Sequence, residues 1–342
     1  MELVTYFNDF LKDIRLTENQ QNDLIQGHKT LSKRLNSSED LKDIIVGMFL
    51  QGSYKRSTAV RPKNGNRSDV DLVVVTNLDK DNVTPEEALD KFIPFMEKYY
   101  KDKYRKQRRS IGIELSYVEL DVVVTTAPSE SSKLVIESEF IQDTQELEFV
   151  DEEVDTSDWK SEPLYIPDTT DDIWDKTDPL EQIIWTIQKN KNCNGNYVNV
   201  VKALKWWKKN IDTNNEPPKS YPLEHLIGQS CPDEISSVAE GVTLTLEYIV
   251  ENYKEKPVMN DHGVPEHDVF ERITDDEYDS FYELIKSAAT TARQALDSPD
   301  KKESINGWKS LFGSKFPDDK SENRASFTQR NSVSEVTVER YA

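Results

Sequence analysis

The chain has 342 residues, of which 36% are hydrophobic and 31% charged, a length and composition that allow two domains or one two-lobed fold with a substantial core. Its formal net charge of −21 at pH 7 argues against a protein that grips long nucleic acid, because basic residues that neutralise phosphates supply most of that affinity. The chain has only two cysteines and four histidines, which argues against a disulfide framework and a zinc site. Its N-terminal segment is acidic and its apolar runs are short, which argues against a secretory signal and a membrane span. A cytoplasmic protein is therefore expected.

The first 50 residues are predicted to be helical. The segments "DFLKDIRL" and "QNDLIQGHKTLSKRLN" are typical of amphipathic helices. Ser38 followed by Asp40 predicts a capped start for a third helix over "SEDLKDIIVGMFL".

Strand patterns follow. The segment "DVDLVVVT" is apolar enough to be covered on both faces of a sheet, "VELDVVVTTA" predicts its neighbour, and "GIELSYV" predicts a third strand. Between them, "TPEEALDKFIPFMEKYYKDKY" begins with Thr-x-x-Glu and has the apolar spacing of a helix. This half of the chain is therefore predicted to combine strands with helices.

One dense basic run, "KYRKQRR" at residues 103–109, stands out in an acidic chain. It has two interpretations. The run is either the solvated end of the preceding helix or a local basic patch beside an anionic ligand. The sequence leaves both open.

The second half of the chain is predicted to be helical. Residues 137–178 are acidic and interrupted by prolines, so they are expected to cross between two lobes. After Pro179 the helical period returns in five segments, and from about residue 318 the chain is polar and predicted to be a disordered tail. The predicted division is a core with N-terminal helices at 1–160, a helical lobe at 161–317 and the tail at 318–342.

Two carboxylates occupy the start of the most apolar predicted strand. Residues i and i+2 of a strand face the same way, so Asp69 and Asp71 are expected to project together. Their mutual repulsion would push one toward protonation unless a cation lay between them, and a hard divalent ion with oxygen ligands would remove the conflict. The alternative is a pair of solvated carboxylates at a strand end.

The residues around this pair favour phosphate chemistry. Gly52 and Ser53 follow an apolar segment and suit a sharp turn whose backbone N–H groups and hydroxyl approach a phosphate. A third acid is expected on the neighbouring strand, either Asp121 or Glu119, which have the same parity. Three carboxylates with such a turn, and no catalytic histidine or cysteine, suggest two-metal phosphoryl or nucleotidyl transfer.

A lysine-rich helix face is the second candidate for phosphate binding. In "VVKALKWWKKN", Lys202, Lys205 and Lys209 fall at i, i+3 and i+7, beside an apolar stripe. Three lysines on one face of an acidic protein suit a polyphosphate. The alternative is a solvated cationic face.

The set Gly52-Ser53, Asp69-x-Asp71 and Asp121 resembles that of the polymerase-β-type nucleotidyltransferase superfamily. The segments "GSYKRSTAVRP…SDVDLVVV", "VVKALKWWKKN", "KSYPLEHLIG" and "GWKSLFGSKFP" are similar to those of the bacterial cGAS/DncV-like nucleotidyltransferases of anti-phage signalling systems. The resemblance covers about residues 10–317. It implies an α+β fold, with a polymerase-β-like core of mixed sheet and helices, a helical C-terminal lobe, and the active site in the cleft between them.

The resemblance also implies residue roles. The three aspartates, Asp69, Asp71 and Asp121, would hold two Mg²⁺ ions, with Mn²⁺ as a substitute, and Asp121 would help the attacking ribose hydroxyl to lose its proton. The remaining implied roles concern the nucleotide: the donor phosphates would bind to Gly52, Ser53, Lys202, Lys205 and Ser220, and a base would stack on Tyr221.

The function implied is template-independent joining of ribonucleoside triphosphates (ATP, GTP or pyrimidine nucleotides) into a cyclic di- or trinucleotide that acts on a downstream effector. Because the chain is acidic, no DNA or RNA activator is expected, and because its apolar runs are short, no membrane is expected. The polar C-terminal tail is a candidate for conjugation by a ubiquitin-ligase-like partner. Two rival functions remain open, namely nucleotide transfer to a tRNA, a protein or a small-molecule acceptor, and a binding module without catalysis.

Overall fold

A computed structural model describes residues 1–63, 65–127, 162–211 and 217–319. Within these ranges, no helix is long and apolar enough to cross a membrane. The predicted crossing at 137–178 lies outside the described residues up to 161, and of the predicted tail only residues 318 and 319 lie inside them.

The described elements are eleven α-helices and seven strands. The helices are α1 (Val4–Ile14), α2 (Glu18–Asn36), α3 (Gly52–Lys55), α4 (Pro85–Asp90), α5 (Ile93–Tyr100), α6 (Pro179–Asn192), α7 (Tyr197–Ile211), α8 (Ser220–Ser230), α9 (Val238–Asn252), α10 (Asp275–Asp297) and α11 (Lys301–Phe312). The strands are β1 (Ile45–Gln51), β2 (Asp69–Thr76), β3 (Tyr104–Lys106), β4 (Ile111–Glu114), β5 (Glu119–Thr126), β6 (Leu164–Asp168) and β7 (Ile173–Thr177).

The strands form one mixed sheet in the order β1-β2-β5-β4-β3, and β6 pairs with both β5 and β7. Strands β2 and β5 are parallel neighbours, and all other pairs are antiparallel. Along β2, Leu72 and Val74 pack into one apolar cluster and Val73 and Val75 into another. The sheet is therefore covered on both faces, as the valine-rich sequence predicted, and the predicted α+β class is confirmed.

One predicted helix is wrong. The segment "IVGMFLQ" is strand β1, which pairs antiparallel with β2 from Ile45 to Gln51. Ser38 lies in turns that precede the strand rather than in a helix cap. The apolar run is as compatible with a strand as with a helix, and pairing along the edge of β2 decides between them.

The five helical segments predicted after residue 178 all form helices, α6 to α10, and α11 is a further helix that was not predicted. Helix α1 packs with them rather than with the sheet: the rings of Phe10 and Phe312 stack with centroids 4.5 Å apart, and Phe7 meets Trp308 edge-on at 4.9 Å.

The predicted Thr-x-x-Glu start of α4 is confirmed, since Thr84 and Glu87 form a reciprocal capping box. The domain bounds stay a prediction, while β6 and β7, at 164–177, belong to the sheet.

The basic run at 103–109 is not a helix end, so that interpretation is wrong. It forms β3 and the turn that follows, and two of its arginines bind Asp168, whose side chain is fully buried. Arg108 Nε lies 2.6 Å from Asp168 Oδ1, and Arg109 Nε lies 2.8 Å from Asp168 Oδ2. We call this group of three residues the Asp168 clamp. It joins the β3–β4 turn to the β6–β7 hairpin.

Burial acts to raise the pKa of Asp168, but hydrogen bonds from Arg108 and Arg109 outweigh it and hold the pKa well below its usual range. The carboxylate is therefore ionised at any ordinary pH. The clamp remains intact across that range, because both guanidinium groups also keep their charge.

Candidate active site

The register of β2 and β5 brings the predicted acids to one end of the sheet. Asp71 lies directly opposite Asp121 in the parallel pair, and Asp69 lies opposite Glu119. Val70, between the two β2 aspartates, is 1% exposed, whereas Asp69 is exposed and Asp71 is partly buried. The aspartates therefore share the face opposite to Val70, as the strand period predicted.

The structure distinguishes the two candidates for the third acid. Glu119 lies at the outer end of β5, where its Oε1 is 3.8 Å from Arg67 Nη1 in an exposed ion pair. Asp121 lies two residue pairs further along the strands, opposite Asp71, and its Oδ1 accepts a hydrogen bond from Gln107 Nε2 at 3.1 Å. This placement favours Asp121, which we keep as the proposed third ligand.

The Gly52-Ser53 turn packs against these acids. Gly52 has φ +74°, and a Cβ built on it would lie 1.9 Å from Asp71 Oδ2. The Asp71 carboxylate thus occupies the space that any side chain at position 52 would need. Ser53 lies in the short helix α3, and its carbonyl accepts the N–H groups of Thr58 and Ala59 at 2.9 and 3.0 Å, which closes the turn.

We expect Gly52→Ala to lower catalytic activity more than tenfold, because the new methyl group displaces the Asp71 carboxylate, and to cost about 1–3 kcal/mol of unfolding free energy through strain at positive φ. Gly65→Ala is a matched control, since Gly65 has φ +78° and its added Cβ would meet nothing within 4 Å. The control should show the strain cost without the loss of activity. Denaturant unfolding and initial rates measure both, and equal activity losses in the two variants would contradict the collision with Asp71.

The acids are electrostatically strained against one another. Burial and the neighbouring charges of Asp69 and Asp121 raise the pKa of Asp71 to about 7, and Arg56 provides a partial opposing effect. Burial, followed by the charge of Asp69, also raises the pKa of Asp121. The cluster therefore lacks sufficient positive charge from its own chain to ionise fully at neutral pH.

This charge deficit, and the chemistry of the donors, fit a divalent cation. Carboxylate oxygens are the ligands that hard ions such as Mg²⁺ prefer. Within the ranges that the structure describes, no three His, Cys, Asp or Glu side chains already surround a single point at ligand spacing. The three aspartates are thus adjacent on neighbouring strands but not closed around one position.

The helical lobe presents a different arrangement from the predicted lysine face. Lys205 is 4% exposed, and its Nζ donates to Glu224 Oε1 at 2.6 Å. Glu224 Oε2 accepts from Thr58 Oγ1 at 2.9 Å and from the guanidinium of Arg56 at 3.2 Å. This buried quartet of Arg56, Thr58, Lys205 and Glu224 joins α7 and α8 to the segment after the Gly52-Ser53 turn, and Lys205 is held in it rather than presented to solvent.

The other predicted nucleotide contacts lie nearby. Lys202 is 9% exposed, and burial together with two neighbouring cations lowers its pKa to about 8. Ser220 is exposed at the first position of α8. The hydroxyl of Tyr221 donates to Asp261 Oδ2 at 2.5 Å, and Arg56 lies 5.5 Å from the centre of its ring. Stacking of Tyr221 on a base stays a prediction.

Sequence reasoning missed Arg56, Glu224 and Gln107. Arg56 directly follows the "GSYK" helix, and Glu224 interrupts the apolar run in "PLEHLIG", so a buried charge in that run was the available indication. Gln107 had no such indication, because its contact with Asp121 depends on strand pairing.

The chain is similar to known proteins both in sequence and in fold. Residues 1–134 match a family described as the Second Messenger Oligonucleotide or Dinucleotide Synthetase domain. Two relatives, a probable cyclic AMP-AMP-GMP nucleotide synthase of Salmonella paratyphi B and a cyclic AMP-AMP-GMP synthase of Enterobacter hormaechei, are each 45% identical, with 93% of this chain and 92% of each relative covered. The structure of Escherichia coli MS115-1 CdnC with ATP superposes with a TM-score of 0.69 at 16% identity, covering 93% of this chain and 100% of that one, which shows a shared fold.

Proposed function

The chain belongs to the second messenger oligonucleotide or dinucleotide synthetases, the bacterial cGAS/DncV-like nucleotidyltransferases, and from this we propose that its product is a cyclic trinucleotide of two adenylates and one guanylate. The enzyme joins ribonucleoside triphosphates into a cyclic oligonucleotide. The base composition of the product is supported by the two relatives that are 45% identical over nearly the whole chain. We assign the product to anti-phage signalling through a downstream effector.

One observation carries the catalytic assignment: Asp71 lies beside Asp121 on a parallel strand and against the backbone of Gly52. A turn that can approach a phosphate is thereby placed next to acids that can bind metal, which is what nucleotidyl transfer requires. We propose that Asp69, Asp71 and Asp121 hold two Mg²⁺ ions, or Mn²⁺ in their place. Bound there, divalent ions would neutralise the charge that builds on the triphosphate as a ribose hydroxyl attacks and pyrophosphate leaves.

The protein groups have separate tasks in this proposal. Gly52 and Ser53 bind the donor phosphates, and Lys202 and Ser220 approach them from the helical lobe. Asp121 accepts the proton of the attacking hydroxyl.

Two further predicted nucleotide contacts depend on the buried quartet. Lys205 keeps its predicted role only if the triphosphate draws its ammonium group from Glu224, to which it is bound here. Tyr221 stacks on a base with the ring face that Arg56 leaves open.

Partners follow from the same chemistry. The acidic chain offers little for a polyanion, so we propose that activity needs no DNA or RNA. Conjugation of the tail by a ubiquitin-ligase-like partner concerns residues beyond 319 and rests on the resemblance alone.

The test is incubation of purified protein with Mg²⁺ and ATP, GTP, CTP and UTP, with mass spectrometry of the products. We expect a phosphatase-resistant cyclic species of two AMP and one GMP, formed equally with and without duplex DNA or RNA. A different ring would overturn the product assignment alone. Label appearing on an added tRNA, protein or small molecule, with no free cyclic product, would favour transfer to an acceptor instead.

A further inference from the structure

A glutamine lies beside the acid cluster on the side away from Asp71. We propose that Gln107 is a positioning residue for Asp121: it holds one carboxylate oxygen, and the turn that carries it is held by the Asp168 clamp. The proposal rests on the proposed function, because that function makes Asp121 a ligand and a base. Gln107 acts through its hydrogen bond to Asp121.

Gln107 fills a space that strand β4 leaves empty. The residue opposite Asp121 in the antiparallel β4–β5 pair is Gly112, and side chains at opposed positions lie on the same face of a sheet. A Cβ on Gly112 would lie 2.4 Å from Gln107 Nε2 and 3.2 Å from Asp121 Oδ1. The Gln107 amide thus takes the place of the absent side chain, and from there it donates its hydrogen bond to Asp121 at 3.1 Å.

A second contact fixes which end of the amide faces Asp121. Ser110 Oγ donates to Gln107 Oε1 at 3.2 Å, so the carbonyl end of the amide is already engaged. The backbone N–H of Gln107 also donates to the Ser110 carbonyl at 2.8 Å, which closes the turn. Because a carboxylate only accepts, the NH₂ end is the one that can bind Asp121, and the network admits one orientation of the amide.

The turn itself is anchored from outside the active site. The next two residues, Arg108 and Arg109, bind the buried Asp168. The Arg108 carbonyl accepts hydrogen bonds from both the backbone N–H and the hydroxyl of Thr169, each at 3.0 Å. The β6–β7 hairpin therefore fixes the backbone on which Gln107 stands.

The consequence for Asp121 follows from its two neighbours. Asp71 on one side repels it, whereas Gln107 on the other side donates a hydrogen bond to Oδ1. That hydrogen bond holds the carboxylate in one orientation and engages Oδ1 but not Oδ2. Catalytic groups must be held within about 0.5 Å of their working geometry by such supporting contacts.

A double-mutant cycle tests this role. Gln107→Ala removes the donor, and Gly112→Ala keeps the glutamine but displaces its amide. We expect each change alone to lower kcat about tenfold, with the KM for nucleotide changed less than twofold, and to weaken Mn²⁺ binding, measured by electron paramagnetic resonance of free Mn²⁺, about tenfold. The double variant should be no worse than Gly112→Ala alone, because the 2.4 Å collision needs the glutamine and the 3.2 Å approach to Asp121 Oδ1 is present in both variants.

The controls separate this inference from the function on which it rests. Gln188→Ala, at an exposed helical glutamine, should leave all three quantities unchanged. Losses in Gln107→Ala and Gly112→Ala that multiply in the double variant, or wild-type kcat and Mn²⁺ binding in either single variant, would overturn the positioning role. Wild-type Mn²⁺ binding and activity in Asp121→Asn would instead overturn the proposed site, and the inference with it.

Discussion

Replacing Asp71 with asparagine should lower the rate of nucleotide joining more than about a hundredfold and yet make the metal-free protein more stable at pH 8. The first effect is expected because Asp71 is a proposed direct ligand of the metal ions, and its loss should exceed the 10- to 100-fold cost of losing an outer partner. The second follows because asparagine carries no charge to repel Asp69 and Asp121. We expect the gain to be roughly 1–4 kcal/mol, since the pKa of Asp71 lies near 7 rather than at its ordinary value.

The stability gain should depend on pH in a defined direction. The pKa of Asp71 is higher in the folded than in the unfolded chain, so the protonated carboxyl favours folding fully below about pH 4, and this contribution disappears as the pH rises through about 7. The unfolding free energy of the variant, relative to that of wild type, should therefore increase from pH 5 to pH 8. Denaturant unfolding in EDTA at both pH values measures the difference.

Asp40→Asn serves as the control, because Asp40 is exposed and precedes the end of β1 that pairs with Thr76, whereas Asp71 pairs with the other end at Gln51. It should change stability by less than about 0.5 kcal/mol and leave activity unaltered. An Asp71→Asn variant that kept its activity, or that was less stable than wild type at pH 8, would contradict this account of the acid cluster.

Glu224→Ala should remove about 3–5 kcal/mol of unfolding free energy, because it leaves the buried cations Arg56 and Lys205 without their shared partner. Both ion pairs involve side chains that are at most 7% exposed, so water cannot replace the carboxylate without rearrangement. Burial acts to raise the pKa of Glu224, but Lys205 and Arg56 outweigh it and lower the pKa. Its contribution is therefore present above the unfolded-state pKa and is lost as the pH falls.

Chemical denaturation of Glu224→Ala, Glu224→Gln and the control Glu283→Ala tests this prediction. Glu283 forms an exposed pair with Lys286, so its loss should cost less than about 0.5 kcal/mol. The glutamine variant keeps a hydrogen-bond acceptor and should lie between the other two. If Glu224→Ala cost no more than the control, the quartet would have no role in joining the lobes.

The sequence predicts those parts of the fold that local patterns determine. Strands β2 and β5 and the helices α6 to α10 were predicted because long apolar runs and regular helical spacing leave few alternatives. Strand β1 was missed because its apolar residues suit either structure, and only the edge of β2 selects a strand.

The candidate site shows the same division. The shared face of Asp69 and Asp71 follows from the strand period, which acts within one segment. The burial of Lys205 does not follow from a pattern within one segment, because Glu224 comes from another helix and Arg56 comes from the other lobe. The position of the Gln107 amide beside Asp121 depends on the absence of a side chain at Gly112, which no local sequence pattern indicates.

The packing of α1 has a consequence for biosynthesis. Phe7 and Phe10 leave the ribosome long before three of the rings that they contact, at Trp308, Phe312 and Phe316. These partners are about 300 residues apart along the chain and cannot meet until α11 has been made. The aromatic face of α1 is therefore completed only after α11 has been made, later than the strands of the sheet.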